Sequence, residues 1–328
     1  MGHWTPAEIP DLTGRIALVT GANSGVGFHT TVELARHGAR ILMACRNPDR
    51  AADALERLVA AVPWARGAVE VVQLDLASLE SVEDAAAEIA DRTAAVDILV
   101  NNAGVLASSA RRTADGFELQ LGTNHIGHFA LTGRLLPLLF ASDAPRVVTV
   151  SSITHRSAQA VWGMAEGAFS AGADIDVQAG RTGRGVAYGR SKLANLMFAR
   201  ELDRRAKAAG VPLMSVAAHP GYSASELLVK SAYTSRFGVT ARMSGVVMRV
   251  TAQSPAVGAW PSLYGATDRH LVGGEYIGPR GIGELRGAPA PARMSRAARD
   301  EVAAAGLWRQ SVSVTGVGYE ELAAGRTA

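Results

Sequence analysis

The stretch Thr20-Gly21-Ala22-Asn23-Ser24-Gly25-Val26-Gly27 follows a short apolar run and precedes a segment with helical periodicity. Its glycines, spaced G-x-x-x-G-x-G, let the backbone turn tightly and approach a ligand closely. The N–H groups that begin the following helix have no partners within the helix, so they can bind an anion. The stretch therefore predicts a strand-to-helix turn that binds the pyrophosphate of a dinucleotide, with an ordinary turn as the alternative.

Short apolar runs alternate along the chain with longer segments rich in alanine and leucine. This alternation is typical of βαβ units around a parallel sheet. Helices are predicted over residues 26–37, 50–61, 79–91 and 186–209. Buried strands are predicted at residues 16–20, 39–44, 69–74, 98–101, 146–151 and 213–218, with a seventh at 275–277. The predicted fold class is therefore α/β, a Rossmann-type doubly wound parallel sheet of about seven strands.

Two segments interrupt this alternation, and both follow the carboxyl end of a predicted strand. Residues 154–185 are rich in glycine and alanine, and residues 222–254 contain many apolar side chains. Because ligands bind at the carboxyl ends of parallel strands, the first is a candidate substrate loop and the second a candidate lid over a lipophilic substrate. Surface insertion and plain packing on the core are the alternatives. The length of 328 residues suits one large domain, 1–328, with a C-terminal extension over 282–328.

Composition and charge exclude several classes of protein. Thirty-three basic and 30 acidic residues leave a formal charge of only +3, so we expect no nucleic-acid partner. The single cysteine, Cys45, cannot form an intrachain disulfide, and we expect it to be buried. The apolar stretches are shorter than the 18 or so residues of a membrane span. Because the first ten residues carry no secretory signal pattern, we expect a cytoplasmic protein.

The end of the second predicted strand indicates which dinucleotide is preferred. An NAD site places Asp or Glu here, on the ribose 2′-hydroxyl. This chain instead reads Ala44-Cys45-Arg46-Asn47. Arg46 offers a permanent positive charge to a 2′-phosphate, with Ser24 and Asn47 close enough to assist, so NADP(H) is preferred over NAD(H). A solvent-facing arginine that begins a helix is the alternative.

Tyr188 and Lys192 lie four residues apart in a strongly helical segment, so they share one helix face. A lysine ammonium beside a phenol favours the phenolate, which lowers the tyrosine pKa towards a range in which it can transfer a proton. The pair is therefore a candidate acid/base centre, although a helix can contain this spacing by chance.

The glycine turn, taken together with Asn101-Asn102-Ala103-Gly104 at the end of the fourth predicted strand, resembles the short-chain dehydrogenase/reductase family. The resemblance implies that Asp75 contacts the adenine, and that the Asn-Asn-Ala-Gly turn packs the sheet and touches the adenine ribose. The expected cofactor-binding residues are Gly21, Asn23, Ser24, Gly25, Val26, Gly27, Arg46, Asn47, Asp75, Leu76, Asn102, Ala103, Gly104, Tyr188, Lys192, Pro220, Gly221, Ser223 and Ser225.

The same resemblance implies a catalytic tetrad of Asn124, Ser152, Tyr188 and Lys192. Tyr188 matches the general acid/base, and Lys192 the residue that holds the nicotinamide ribose and tunes the tyrosine. Ser152, taken in preference to its neighbour Ser151, would steady the substrate oxygen. Asn124 would anchor a water that links Lys192 to solvent.

A particular branch of the family is indicated by the insertion between Ser152 and Tyr188, which are 36 positions apart. This insertion, together with His219-Pro220-Gly221 and the motifs around residues 125–129 and 273–279, resembles the retinol-dehydrogenase and protochlorophyllide-reductase-like branch. The resemblance covers a core of about residues 12–281, with a weaker match at Leu307-Trp308. It implies that residues 219–225 close over the nicotinamide, although Ser225 replaces the usual threonine.

The sequence therefore predicts an NADP(H)-dependent oxidoreductase that moves a hydride between nicotinamide and a carbonyl or alcohol of a lipophilic small molecule. Reduction of a carbon–carbon double bond and a non-catalytic NADP-binding sensor are the alternatives. No metal is expected, because His125 and His128 have no acidic or cysteine partner at ligand spacing. A homo-oligomer is compatible with the sequence.

Overall fold

The sheet of this protein contains eight strands within the residues that the structure describes. The structure is a computed structural model, and it describes residues 4–106, 111–162, 184–222 and 253–324. The strands lie in the order β3-β2-β1-β4-β5-β6-β7-β8. They are β1 Ile16–Thr20, β2 Arg40–Cys45, β3 Val69–Gln73, β4 Ile98–Asn101, β5 Arg146–Val150, β6 Met214–Ala218, β7 Tyr276–Pro279 and β8 Pro289–Pro291.

The first seven strands are parallel, so their carboxyl ends lie along one edge of the sheet. The strand order reverses between β1 and β4, where Val19 pairs with Val100. This reversal is the position at which doubly wound sheets bind ligands. The predicted α/β class and parallel sheet are confirmed.

The eighth strand was not predicted. It pairs antiparallel with β7, with Gly278 opposite Ala290. A proline cannot donate to a sheet ladder and is tolerated at an edge strand, so Pro289 and Pro291 suit this position. Its three residues are too short and too rich in proline to be recognised as a strand from sequence.

Helices cover both faces of the sheet. In β1, Ala17 and Val19 point into one apolar core and Leu18 into the other, as the period of two in a strand requires. The helices are α1 Gly25–Arg36, α2 Pro48–Ala61, α3 Leu79–Arg92, α4 Leu119–Leu121, α5 Gly127–Arg134, α6 Leu136–Phe140, α7 His155–Trp162, α8 Arg184–Ala208, α9 Pro255–Gly258, α10 Trp260–Thr267, α11 Glu301–Thr315 and α12 Glu320–Ala324. A π-helix, Gly122–Ile126, joins α4 to α5.

The C-terminal extension packs onto the body of the fold. Trp308 of α11 is buried, stacks on Phe198 of α8 and meets Phe129 of α5 edge-on. The guanidinium of Arg205 lies 4.5 Å from the centre of the Trp308 ring. The weak sequence match at Leu307-Trp308 therefore falls on an aromatic contact between three helices.

The candidate loops are described only in part. Of the insertion over residues 154–185, the described residues form α7 and the first turn of α8. Ser223, Ser225 and nearly all of the candidate lid lie outside the described residues. Across the ranges that are described, every helix is too short or too polar to traverse a bilayer.

Candidate active site

The glycine turn joins β1 to α1 at the point where the strand order reverses. Gly21 and Gly25 have φ angles of +65° and +57°, in the left-handed region that favours glycine. Ser24 is the N-cap of α1, but its side chain makes no capping hydrogen bond. The N–H groups of the first helical turn therefore have no partner in the helix or in the Ser24 side chain, and they are available to an anion.

Gly27 is held against the end of β4 by tight packing. A Cβ at this position would overlap the side-chain amide of Asn102 and lie 2.5 Å from the Gly21 carbonyl oxygen. Asn102 cannot easily move away, because its Nδ2 donates to the Thr20 carbonyl oxygen over 2.8 Å. The glycine turn and the Asn-Asn-Ala-Gly turn are thus one packed unit.

The end of β2 presents a positively charged side chain near this unit. Arg46 is exposed, and it makes no ion pair with any residue that the structure describes. The Asn47 side chain is engaged in a structural role, since its oxygen accepts the Arg50 N–H over 2.9 Å and caps α2. Asn47 was one of the two residues expected to assist Arg46. Because its side-chain oxygen caps α2, only its N–H groups are available to a 2′-phosphate.

Arg57 is a second cation at this end of the site, and it was not among the residues predicted from the sequence. Its Nη2 donates to the Asn23 carbonyl oxygen over 2.9 Å, and its guanidinium lies 4.4 Å from the centre of the Phe28 ring. It thereby links α2 to the glycine turn. Nothing in the spacing of α2 distinguishes this arginine from the other charged residues of the same helix.

The end of β3 supplies the residues expected beside the adenine. Asp75 accepts the Ala77 N–H over 3.0 Å, and its own N–H donates to Ser81 over 2.9 Å. These bonds hold the carboxylate at the strand end. Leu76 is buried and packs against Gly127, where an added Cβ would overlap the Leu76 carbonyl.

Tyr188 and Ser152 come together at the ends of α8 and β5. Their side chains are near enough for Ser152 to act on the pKa of the Tyr188 phenol. The two neighbouring serines face different ways, since Ser151 donates to the Lys192 carbonyl oxygen over 2.6 Å. Lys192 is buried, its Nζ donates to the Val150 carbonyl oxygen over 2.9 Å, and the same atom lies 5.8 Å from the centre of the Tyr188 ring.

The pKa of Tyr188 differs in direction from the sequence-based expectation. Burial raises it to about 12, and the Ser152 side chain only partly opposes this. Burial also lowers the pKa of Lys192 to about 8. The expectation considered only the charge of Lys192, but in this structure the ammonium is bonded to the Val150 carbonyl, and desolvation dominates the tyrosine.

Asn124 lies in the π-helix, a type of turn that is frequent at functional sites. Its Oδ1 accepts the Val105 N–H over 2.7 Å, and its Nδ2 donates to Ser191 over 2.9 Å. A Cβ added to Gly104 would lie 3.3 Å from both Asn124 Oδ1 and Lys192 Nζ. Ser191 therefore links Asn124 to Tyr188, because its hydroxyl donates in turn to the Tyr188 carbonyl oxygen.

His128 joins Asn124 to the glycine turn. Thr20 Oγ1 accepts N–H bonds from Asn102 and Ala103, so its own proton goes to His128 Nε2, 2.9 Å away. The remaining proton of the imidazole, on Nδ1, then donates to the Asn124 carbonyl oxygen over 2.9 Å. Burial lowers the pKa of His128 to about 4, which keeps the ring neutral. The sequence signal was present, since His128 is one helical turn beyond Asn124.

The segment His219-Pro220-Gly221 follows β6 at the same edge of the sheet. Gly221 has a φ of +64°, and a Cβ there would lie 2.5 Å from the Leu285 carbonyl oxygen. The Tyr222 N–H donates to that same oxygen over 2.7 Å. The turn after β7 therefore packs against this segment and hydrogen-bonds to it.

The remaining candidates make structural contacts. The described residues contain no group of three side chains arranged to hold a metal ion. His125 Nε2 lies 3.0 Å from Ser311 Oγ, so it packs α11 against the π-helix. Cys45 is buried as expected, and burial raises the pKa of its thiol to about 11.

Known proteins resemble this chain along nearly its whole length. The model of the short chain dehydrogenase family matches residues 15–165. Retinol dehydrogenase 13 of Homo sapiens is 37% identical over 320 residues, which cover 95% of this chain and 86% of that protein.

Solved structures agree with this relationship. The crystal structure of an uncharacterized protein from Mycobacterium Paratuberculosis is 37% identical, with a TM-score of 0.72, and the match covers 97% of this chain and 99% of that one. The NADP active-site complex of RhlG from Pseudomonas aeruginosa is 25% identical, with a TM-score of 0.62, and the match covers 81% and 94%. This chain therefore belongs to the short-chain dehydrogenase/reductase family, and it is an oxidoreductase of the retinol-dehydrogenase-like branch, acting on CH–OH or C=O groups.

Proposed function

We propose that this protein is an NADP(H)-dependent oxidoreductase that acts on a carbonyl or alcohol of a lipophilic small molecule, with Tyr188 as the general acid/base. The observation that carries the proposal is the convergence of Tyr188 with Ser152, whose side chain acts on the pKa of the phenol, and with Lys192, whose Nζ lies 5.8 Å from the centre of the Tyr188 ring. These groups lie at the same edge of the sheet as the glycine turn, so a proton donor and a dinucleotide site adjoin each other.

The described residues fit a nicotinamide dinucleotide. Free N–H groups at the start of α1 suit the pyrophosphate. The absence of a Cβ at Gly21 and Gly27 lets the glycine turn pack closely on Ala103 and Asn102, which holds these N–H groups in place. Lys192 is a buried cation suited to the hydroxyls of the nicotinamide ribose. When bound, the cofactor supplies or accepts the hydride.

The protein's own part is to orient the substrate and to move one proton. Because burial raises the pKa of Tyr188 to about 12, its hydroxyl holds a proton at neutral pH. In the direction of carbonyl reduction, Tyr188 Oη donates that proton to the substrate oxygen, and Ser152 Oγ steadies the same oxygen. Asn124 and Ser191 fix the start of α8, which carries both Tyr188 and Lys192.

A lipophilic substrate is supported by exposed apolar side chains in the turn after β7, where Leu285 contacts the segment that follows His219. Leu285 and Ile282 are exposed, Ile282 almost completely, and the Leu285 carbonyl oxygen binds the Tyr222 N–H. The relative named for retinol supports the same class of substrate.

The test is to follow NADPH and NADH consumption with aldehydes, ketones, quinones and enones. Turnover of carbonyls supports the proposal, turnover of enones alone favours the double-bond reductase, and cofactor binding without any turnover favours the sensor.

We predict that Arg46→Asp shifts the preference from NADPH towards NADH. The substitution removes a cation and adds an anion where the 2′-phosphate would lie, so NADPH affinity is expected to fall about tenfold or more. NADH, which has no 2′-phosphate, is expected to bind at least as well as before. The measurement is the dissociation constant of each cofactor by fluorescence titration.

Arg66→Asp is the matched control for this charge change. Arg66 is also exposed, but it precedes β3 and lies at the opposite edge of the sheet. We expect it to leave the ratio of the two affinities unchanged. An unchanged ratio in Arg46→Asp as well would rule out Arg46 as the group that selects NADP(H).

We also propose that residues 1–328 form one domain with a core of about residues 12–281. The C-terminal extension supports this organisation, because it adds strand β8 to the sheet and packs α11 on α8. Cytoplasmic location and assembly into a homo-oligomer stay predictions of the sequence.

A further inference from the structure

Outside the predicted tetrad, three charged or titratable side chains form a cluster near the turn that carries Ser152. Glu284 comes from the turn after β7, Arg156 from α7 and His219 from the end of β6. Oε2 of Glu284 lies 2.5 Å from Arg156 Nη2 and 3.3 Å from His219 Nε2. Its Oε1 accepts the Arg293 N–H over 2.9 Å. These residues form the Glu284 cluster, which joins four separate parts of the chain.

The protons of the cluster can be assigned. The Gly221 N–H donates to His219 Nδ1 over 3.2 Å, so the proton of the neutral ring is on Nε2 and faces Glu284. Burial lowers the pKa of His219, which keeps the ring neutral. Burial alone would raise the pKa of Glu284, but the adjacent His219 ring, the bond from the Arg293 N–H and the charge of Arg156 bring it to about 2. The carboxylate is therefore ionised, and it accepts hydrogen bonds from Arg156 Nη2 and from the Arg293 N–H. The His219 ring lies against it at 3.3 Å.

The backbone at Glu284 is strained. Its φ is +59°, in the left-handed region that a non-glycine residue adopts at a cost. Such conformations persist where the surrounding structure imposes them, and they are concentrated at functional sites. Glycine would suit this backbone better, so the reason for a glutamate at this position lies in its side chain.

The partners of Glu284 belong to the two segments that border the reaction centre. Arg156 is four residues beyond Ser152, and the intervening His155 donates from Nδ1 to the Ser152 carbonyl oxygen over 2.7 Å. His219 begins the segment that, by family resemblance, closes over the nicotinamide. The next residue after Glu284, Leu285, binds the Tyr222 N–H through its carbonyl oxygen.

We propose that Glu284 is a positioning residue of the reaction, which holds the Ser152 turn and the segment His219-Pro220-Gly221 at a defined separation. This inference rests on the proposed function, because it assigns these two segments to the substrate oxygen and to the nicotinamide. The adenine half of the site, built from the glycine turn and Arg46, has no contact with the Glu284 cluster among the described residues. Loss of the carboxylate therefore affects one half of the cofactor site and spares the other.

The test measures how tightly the variants Glu284→Gln and Glu284→Gly bind NADPH and its adenosine fragment. We expect kcat/KM with NADPH, and the affinity for NADPH, to fall about tenfold, because small displacements of reacting groups cost this much or more. Affinity for adenosine 2′,5′-bisphosphate, which lacks the nicotinamide, is expected to stay within about twofold. Glu284→Gly also addresses folding, since glycine prefers the backbone conformation found here and the variant relieves the strain.

Glu201→Gln is the matched control. Glu201 is a buried carboxylate that pairs with Arg204 and Arg205, and it is about 20 Å along α8 from Tyr188. We expect this variant to lower the unfolding temperature and to leave both affinities unchanged.

The outcomes distinguish failure of the positioning role from failure of the proposed function. Unchanged NADPH affinity and kcat/KM in both Glu284 variants would overturn the positioning role. Parallel loss of affinity for NADPH and for the adenosine fragment would also overturn it, because that pattern reports a general loss of structure. A wild-type protein that binds neither ligand would overturn the proposed function itself.

Discussion

Tyr188→Phe is expected to lower kcat for carbonyl reduction by about 10²- to 10⁴-fold, the usual contribution of a general acid. The substitution removes only the phenol hydroxyl, whose pKa the Ser152 side chain lowers. Affinity for NADPH is expected to stay within about twofold, because the glycine turn and Arg46 are untouched. The measurement combines steady-state turnover with cofactor titration on the same preparation.

Tyr264→Phe is the control for loss of a phenol hydroxyl. Tyr264 lies on α10 and packs edge-on against Trp4, on the face of the sheet covered by α1. We expect its turnover to equal that of the wild type. Near-normal turnover in Tyr188→Phe would remove Tyr188 from the mechanism. Loss of NADPH binding in the same variant would show that the phenol serves the cofactor site rather than proton transfer.

Gly27→Ala is expected to abolish measurable NADPH binding and to destabilise the fold by about 1–3 kcal/mol, the usual cost of overpacking. The added methyl group would overlap the Asn102 amide and lie 2.5 Å from the Gly21 carbonyl oxygen. Either the glycine turn or the Asn-Asn-Ala-Gly turn must then move. Because both turns border the dinucleotide site, we expect binding to be lost even where the protein stays folded, as judged by circular dichroism.

Gly210→Ala separates the steric effect from the general cost of replacing a glycine. Gly210 has a φ of +67° beyond the end of α8, and a Cβ there would meet no atom within 4 Å. We expect this variant to lose about 1 kcal/mol of stability through its backbone and to bind NADPH normally. Normal NADPH binding by Gly27→Ala would contradict the role of the glycine turn as the pyrophosphate site.

Local sequence patterns were sufficient to predict most of the sheet. The seven predicted strands are confirmed within two residues at each end, and so are the four predicted helices. Each of these elements has its own apolar periodicity, bounded by glycine or by capping residues such as Asn47 and Ser78. Strand β8 has no such periodicity, because its pairing with β7 depends on a chain reversal and not on its own three residues.

Residue spacing predicted the position of Lys192 relative to Tyr188 but not the direction of the Tyr188 pKa shift. The i, i+4 spacing predicted that Lys192 lies one helical turn from Tyr188, and the structure has it 5.8 Å from the ring centre. Spacing carries no information on solvent exclusion, which depends on how α8 packs against β5. Desolvation proved the dominant influence, and it raises the pKa of Tyr188 instead of lowering it.

The sequence by itself determined the α/β fold, the family and the glycine turn, because each can be recognised from short runs of neighbouring residues. The four tetrad positions stay a prediction from the family resemblance. The tertiary structure alone decided the contacts between distant segments. Thr20 meets His128 and Glu284 meets Arg156 across more than 100 positions of the chain. Such contacts leave no periodic trace in the sequence, since they arise only when the parallel strands bring their carboxyl ends to one edge of the sheet.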